Sequence, residues 1–489
     1  MNPVTRLAAF LLVAALDAPA LAGSDQWYGM SLAGSPAGWS HMVDRVEGDA
    51  RTTMNETAFR ISRAGVEVSM TVQVEWVESR DGTPRSMTSR QDMGVQQMTT
   101  LWTFEEDSIR IVTEQDGRRN ETTVPAPSIP WFAPGALQDA FKESAQAGND
   151  TVVLTTLSPD FGPEPVTMTY NRVGSEEILV EGRPQTASVW SMQMDKLPFP
   201  SISKYGPDWT LLSTEMKAPF GQIDMTLSTR EQAMAALEGK SPELMLNLMI
   251  EPDRPIPNWL HARNGRFRLR AKDGAMPDLP SVGYQRVEPT DEAGAVIQTM
   301  NLDSPSKASQ EEIADPQYRS GSGMIDPGDK AIRDLVDRAL VDVGTDVGER
   351  AEALRSFVHR WISIKNYRTA FASASETARN RTGDCSEHGV LLAAMLRVDG
   401  IPARVATGLV YFNPETAQGE GVYGWHMWTQ AIVDGHWIDL DATLPVAYTV
   451  GHVLVDTSSL ADDTGVGDQY NMLALIGNME IDVLEVDAK

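Results

Sequence analysis

The hydrophobic period of this sequence changes once along the chain, and that change limits the fold more than any single motif. From Gln26 to about Arg230 the sequence reads as strands. Val66, Val68, Met70, Val72, Val74 and Trp76 alternate with Glu67, Ser69, Thr71, Gln73 and Glu75. Strand side chains point to opposite faces in turn, so this pattern predicts a half-buried strand, and Asp81-Gly82 and Asp116-Gly117 predict hairpin turns. After residue 328 the spacing becomes helical: Ile332, Leu335, Val336, Ala339, Leu340 and Val343 fall at i, i+3, i+4, i+7, i+8 and i+11, with Gly344 placed to end the helix. A second stripe, Val347, Ala351, Leu354, Val358, Trp361 and Ile362, follows at once. The expected class is α+β, with large β-rich N-terminal structure ahead of a mixed C-terminal domain.

Composition sets the boundaries. Residues 1–22 read as a signal peptide: Arg6 supplies the positive start, Leu7 to Leu16 are apolar, and Ala20-Leu21-Ala22 offers a cleavage site. A retained anchor is the alternative, although the apolar run is short for a span. Residues 23–240 are expected as a β-rich domain closed by a helical segment near Glu231 to Leu237. Residues 241–303 are expected as a small β domain with a turn at Asp273-Gly274. Residues 304–328, rich in Ser, Pro, Gly, Asp and Gln, read as a linker, and 329–489 as the C-terminal domain. Beyond the N-terminus no stretch is apolar over the roughly 20 residues that a spanning helix needs, so the mature form is expected to have no membrane span.

With 41 basic and 68 acidic residues the net charge is −27, and no Lys/Arg-rich block is present to track phosphates. Nucleic acid is therefore not an expected partner. The cysteine count is more telling. Cys385 is alone in the chain, so no internal disulfide can form, and its thiol is free within the monomer. Whether such a thiol is inert filler or a nucleophile depends on its surroundings.

Those surroundings read as a helix start. Gly383-Asp384-Cys385-Ser386-Glu387-His388 precedes an apolar run that Gly400-Ile401-Pro402 terminates. Asp384 as N-cap and Glu387 three residues on form a capping box, which puts Cys385 at the first helical position beside the positive end of the helix dipole. Thiolate is favoured there, while the two carboxylates oppose it and are read as supports for the helix start. The backbone N–H of Cys385 is the one oxyanion donor the sequence identifies.

A nucleophile needs a base. Asp434-Gly435 between Val433 and His436 is a strong two-residue hairpin signal, and its register sets Val433 opposite His436, Gln430 opposite Asp439 and Trp428 opposite Asp441. His426 shares a face with Trp428, so Asp441 becomes its diagonal neighbour at roughly 7 to 8 Å, within side-chain reach. The expected triad is Cys385, His426 and Asp441, with Trp428 in support. Among the seven histidines, His388 on the cysteine's own helix and His436 at the exposed turn are the rivals. The Cys and His spacings are not those of a zinc site, and neither a metal nor a cofactor is called for.

These residues resemble the core of the transglutaminase-like superfamily. The likeness is carried by Gly383 to Glu387, Gly400 to Arg404, His426-Met427-Trp428, and Trp437 with Asp441-Ala442-Thr443, in order, over about Ile325 to Val486. The resemblance implies a papain-like α+β core, a cysteine on a central helix packed on an antiparallel sheet, and a thioester formed from an amide or peptide bond. Gln430 departs from the Glu that many members carry, and Ala442 from the usual Pro. Animal members use an upstream Trp indole toward the oxyanion, yet no Trp lies between Trp361 and Cys385, and Trp361 fits its own helix stripe. Their calcium dependence is not carried over. A protein or peptide substrate follows, with hydrolysis slightly favoured over transfer to an amine. The other class open to the sequence is a catalytically silent domain that binds a peptide, glycan or lipoprotein.

Overall fold

The structure is a computed structural model. It describes residues 23–487 except 64–65, 93–96, 116–117, 181–182, 219–220, 240, 244–247, 365–371, 414–420 and 462–469. The expected signal peptide and the Asp116-Gly117 turn lie outside the described residues. Helix makes up 19% and strand 48%, as an α+β class requires. The chain divides into two compact units, residues 6–244 and, in the main, residues 245–489.

The first unit is a 14-stranded antiparallel sheet running from β1 (Asp25–Leu32) to β14 (Gly221–Ser228). Sequential hairpins build β1 to β8 (Arg118–Pro125) and then β9 (Thr151–Leu157) to β14, and β1 pairs with β14 to join the two runs. The alternating segment forms β4 (Val66–Ser79), with Val68, Met70, Val72, Val74 and Trp76 buried. One helix interrupts the expected run of strands. In α1 (Pro134–Gln146), Leu137 and Phe141 stand one turn apart, and the Phe141 ring packs 4.5 Å from Tyr170 and 5.2 Å from Trp190. Ala133 cannot cap this helix, and the carboxyl of Glu78 accepts the Ala136 N–H instead. A second helix, α2 (Arg230–Ala235), follows β14 under a Thr229–Gln232 capping box.

The second unit holds two sheets. In one, β15 (Asn264–Ala271), β16 (Gln285–Pro289) and β17 (Ala295–Asn301) are joined by β23 (Met479–Val486), in the order β16-β17-β15-β23. Strands from the 241–303 segment thus share a sheet with the end of the chain. The 304–328 segment contributes β18 (Ser306–Lys307), which pairs with Trp437 and His436, and α3 (Gln310–Ala314), capped by Ser309. Tyr318 also packs edge-on to Trp437, 5.3 Å away.

The helical stripes become α4 (Lys330–Ala339) and α5 (Val347–Trp361). The first stops short of Gly344: Leu340 is its C-cap, Asp342 turns to φ 63°, and Val341 is left exposed. Next comes α6 (Ala374–Asn380), a helix the apolar pattern did not predict, capped by Ser373 and Glu376. All three surround α7 (Cys385–Val398), where Val390 to Leu396 are fully buried.

Beneath α7 lies the five-stranded sheet β18-β21-β20-β19-β22, with β19 (Ala403–Phe412), β20 (Val422–Val433), β21 (His436–Leu440) and β22 (His452–Ser458). Thr429 donates its hydroxyl to the Gly389 carbonyl, a buried hydrogen bond that ties the helix to β20. Asp434 and Gly435 both take positive φ, as a tight hairpin demands, and Val433 pairs with His436 and Gln430 with Asp439 as expected. The ladder ends one pair early. Thr429 faces Leu440, then the chain turns so that the Asp441 N–H reaches the Ala447 carbonyl, and no Trp428–Asp441 pair forms.

Candidate active site

Early termination of that ladder opens the site. On the side of β20 away from β19, Ile250 bridges Tyr423 and β21 begins at Thr429; among the described residues no strand pairs with 424–428 between them. The first turn of α7 fills the gap. There the half-buried Cys385 sulfur accepts from the Met427 N–H and stands in hydrogen-bonding contact with the His426 ring. His426 Nε2 lies 2.8 Å from Asp441 Oδ2, which leaves Nδ1 as the nitrogen available to the sulfur. Both partners are buried, His426 at 5% exposure and Asp441 at 0%.

The helix start is held as its sequence predicts. Asp384 Oδ1 accepts the Ser386 N–H at 3.0 Å, and Glu387 Oε2 accepts the Asp384 N–H at 2.7 Å. Glu387 Oε1 also accepts the Ala372 N–H at 2.8 Å, which pins the incoming chain to the helix. Gly383 has no space for a side chain, since a Cβ there would lie 2.3 Å from Glu387 Cβ. The Cys385 N–H, expected as an oxyanion donor, occupies a first-turn position that α-helical bonding leaves without an internal partner.

The protonation balance differs from the helix-start expectation. Burial and then the Asp384 charge push the Cys385 thiol up, against the opposing pull of His426 and the Met427 N–H. Desolvation and a neighbouring carboxylate outweigh a helix-end effect worth about 1 kcal/mol or less at most exposed positions. Burial alone would lower the His426 imidazole, but the charge and hydrogen bond of Asp441, with Cys385 adding to them, lift it to about 10. Asp441 is itself buried, yet His426 and His452 hold it well below the usual carboxylate range. Glu387 moves the other way: burial and the Asp384 charge raise it to about 8.

Trp428 stacks beside His426, 6.2 Å between ring centroids, and is tied to Asp439. Trp428 Nε1 donates to Asp439 Oδ1 at 2.8 Å, and Gln430 Nε2 donates to the same oxygen at 2.8 Å. Gln430 also accepts from Arg404 Nε, so an amide here satisfies a donor and an acceptor where a second carboxylate would face Asp439. The rival histidines sit elsewhere: His388 Nδ1 is 2.6 Å from the Asp384 carbonyl, and His436 Nδ1 is 3.0 Å from the Asp434 carbonyl. Trp361 donates its indole N–H to the Ala378 carbonyl at 3.0 Å.

Two site residues escaped the sequence reading. His452, on β22, places Nε2 3.2 Å from Asp441 Oδ2, and buried Arg355, on α5, donates to the Asp441 carbonyl at 3.1 Å. His452 lies in an apolar strand reached only through long-range pairing, and Arg355 occupies an ordinary polar-looking helix position, so neither carries a local motif. His426, Asp441 and His452 bring potential ligand atoms within 4.8 Å of one another. Their 2.8 and 3.2 Å contacts are those of N–H donors on a carboxylate.

A cysteine at the start of a buried helix, facing a His–Asp pair on an antiparallel sheet, defines an α+β domain of cysteine-centred type. Residues 334–442 match the transglutaminase-like superfamily, so the second unit carries a transglutaminase-like domain. No curated protein matches the sequence. Among solved structures, the chain is similar to a β-barrel-like protein of a domain of unknown function from Brucella abortus, with 12% identity and a TM-score of 0.35 over 43% of this chain and 98% of that one. It is similar to a candidate cysteine protease from Cytophaga hutchinsonii, with 16% identity and a TM-score of 0.26 over 46% of this chain and 89% of that one. It is also similar to a candidate protease from Parabacteroides distasonis, with 12% identity and a TM-score of 0.17 over 75% of this chain and 68% of that one. The superfamily match supports a cysteine-based enzyme in general terms. Among the described residues no helix is long and apolar enough to cross a membrane.

Proposed function

We propose that this chain is an exported cysteine acyl-transfer enzyme that acts on amide or peptide bonds, with Cys385, His426 and Asp441 as its triad and hydrolysis favoured over transfer to an amine. The observation that carries the reading is the contact of the Cys385 sulfur with a His426 ring whose Nε2 is bound to Asp441 at 2.8 Å. Loss of the thiol proton gives a thiolate beside an imidazolium. The sulfur attacks the carbonyl carbon, and the carbonyl π electrons move to oxygen, within reach of the Cys385 N–H. When the tetrahedral adduct collapses, the C–N bond breaks and His426 hands its proton to the departing amine, leaving a thioester. Neutral His426 then takes a proton from water as the water oxygen attacks the thioester, and the thiolate leaves. Asp441 holds the ring in line throughout.

The test is acyl-enzyme capture. Full-length protein is incubated with a periplasmic peptide pool, quenched in acid and digested. An acyl adduct on the Cys385 peptide in wild type, absent in Cys385→Ala, is the expected result. The raised thiol favours one competing reading, a silent peptide-binding domain. That reading predicts no adduct, and a Cys385 alkylation rate unchanged in His426→Ala; together these outcomes sink the enzyme.

A further inference from the structure

Asp441 is bonded from two sides. Its Oδ1 accepts the Thr443 N–H at 2.7 Å, while Oδ2 receives His426 Nε2 at 2.8 Å and His452 Nε2 at 3.2 Å. An ionised carboxylate can only accept, so His452 carries a proton on Nε2. Its Nδ1 lies 3.0 Å from the Thr449 hydroxyl and 3.1 Å from the Thr449 carbonyl oxygen, so Thr449 can meet that nitrogen in either protonation state. The ring is fully buried, stacked 3.9 Å from Tyr448 and edge-on to Trp428 at 5.1 Å. The titratable groups facing it are Asp441, His426 and Tyr448, with Asp439 also acting on it through charge. Burial, and the charge of His426, push the ring below the usual imidazole value against the pull of Asp441 and the Thr449 carbonyl.

We propose that His452 is a positioning residue of this centre: its Nε2–H fixes Asp441 Oδ2 on the His426 ring and sets how readily Cys385 loses its proton. The proposal rests on the acyl-transfer reading above. The His452 donor holds Oδ2 in line with the His426 ring, so the carboxylate sustains the imidazolium that in turn pulls the Cys385 thiol down. Without that donor Asp441 keeps the Thr443 N–H and His426 but is held less firmly, and the imidazolium that stabilises the thiolate at neutral pH loses support.

The solitary cysteine makes the test clean, because iodoacetamide alkylation of the full-length protein reports one site. His452→Phe keeps a ring against Tyr448 and removes the donor. Its alkylation midpoint should move to higher pH, with the rate at neutral pH falling about tenfold, the scale of one hydrogen bond to a charged group. His452→Gln retains a neutral N–H donor and should stay close to wild type. If His452→Phe superimposes on wild type while His426→Ala does not, His452 only packs and the proposal falls, with the triad intact. If His426→Ala also superimposes, the triad reading falls and takes the proposal with it. Should the variants fail to fold, ring-nitrogen NMR of the wild-type protein decides. A proton on Nε2 throughout neutral pH is expected, and a ring protonated on Nδ1 alone overturns the assignment.

Discussion

Arg355 grips the turn that carries Asp441: its Nη1 donates to the Asp441 carbonyl at 3.1 Å and to the Leu444 carbonyl at 3.2 Å, while Nη2 and Nε hold Glu352. A planar guanidinium suits this task, since its donors diverge at fixed angles, whereas an ammonium offers a compact point charge. Arg355→Lys is therefore expected to lower the thermal midpoint and to slow Cys385 alkylation, because the Asp441 turn loosens. The loss should be about 2 kcal/mol, the scale of hydrogen bonds made by a charged donor. Calorimetry and alkylation on the same variant check both effects. Unchanged alkylation despite lower stability would show that the turn does not need the clamp.

Gly408 stands opposite His426 in the β19–β20 pairing, at the point where the β19–β22 register shifts. A Cβ at this position would lie 1.9 Å from the Val453 carbonyl oxygen and 3.1 Å from the Trp428 ring. Backbone cannot yield as a side-chain tip can, so Gly408→Ala should force β22, and His452 with it, away from the sheet. A destabilisation of about 3 kcal/mol or more is expected, within the range for overpacked or strained core sites. Urea unfolding measures it, and a change below about 1 kcal/mol would mean the strand adjusts freely.

How much of this was legible follows from how local each signal is. The β-rich first unit announced itself because half-buried strands alternate with period two, as in Val66 to Trp76. The hairpin register was readable because Asp434-Gly435 permits a two-residue turn and little else. The capping box at Asp384 and Glu387 was readable for the same reason, being a contact three residues long. By contrast α1 was missed amid strands, although Pro134 at its start and the Leu137–Phe141 spacing were available as cues. The Ser373–Glu376 box likewise marks α6, a seven-residue helix too short and polar to show an apolar stripe. The early end of the β20–β21 ladder could not be read from spacing at all. It depends on the Asp441 N–H finding the Ala447 carbonyl, and it is this turn that creates the opening for the first turn of α7. The thiol's upward shift was missed for a related reason. Helix-dipole reasoning is local, whereas burial is set by everything packed around Cys385.

Asp384 offers a way to move that thiol. Its charge is the second cause, after burial, that pushes Cys385 up. Asp384→Asn keeps a side-chain oxygen for the Ser386 N–H, and Asn caps helices about as well as Asp, so the helix start should survive. Removing the charge should bring the alkylation midpoint to lower pH and raise the rate near neutral pH several-fold. If the midpoint moves up instead, the carboxylate is serving mainly to hold the helix in place, and its field on the sulfur is the smaller effect.

The first unit should show its own pH dependence, through Glu78. This residue is 1% exposed on β4, paired in register with Arg51 on the neighbouring strand. Arg51 Nη2 lies 2.7 Å from Asp44, and Nη1 lies 2.6 Å from Asp139, so one guanidinium serves several acids and reaches Glu78 only at 3.9 Å. Burial, with Asp44 and Asp139 adding to it, outweighs Arg51 and the Ala136 N–H and raises Glu78 to about 7; burial raises Asp160 to about 7 as well. The sign follows from proton counting. Between its unfolded value near 4.5 and about 7, the folded state holds a proton that the unfolded state has released. The resulting stabilisation is fully present below the unfolded value and is lost as pH rises through about 7. Glu78→Gln removes this one contribution, so the wild-type thermal midpoint should fall more steeply than the variant's as pH rises from about 5 to 8, by on the order of 2 kcal/mol over the window. Parallel curves for the two proteins would place the Glu78 carboxyl in contact with water and leave Arg51 paired with Asp44 and Asp139 alone.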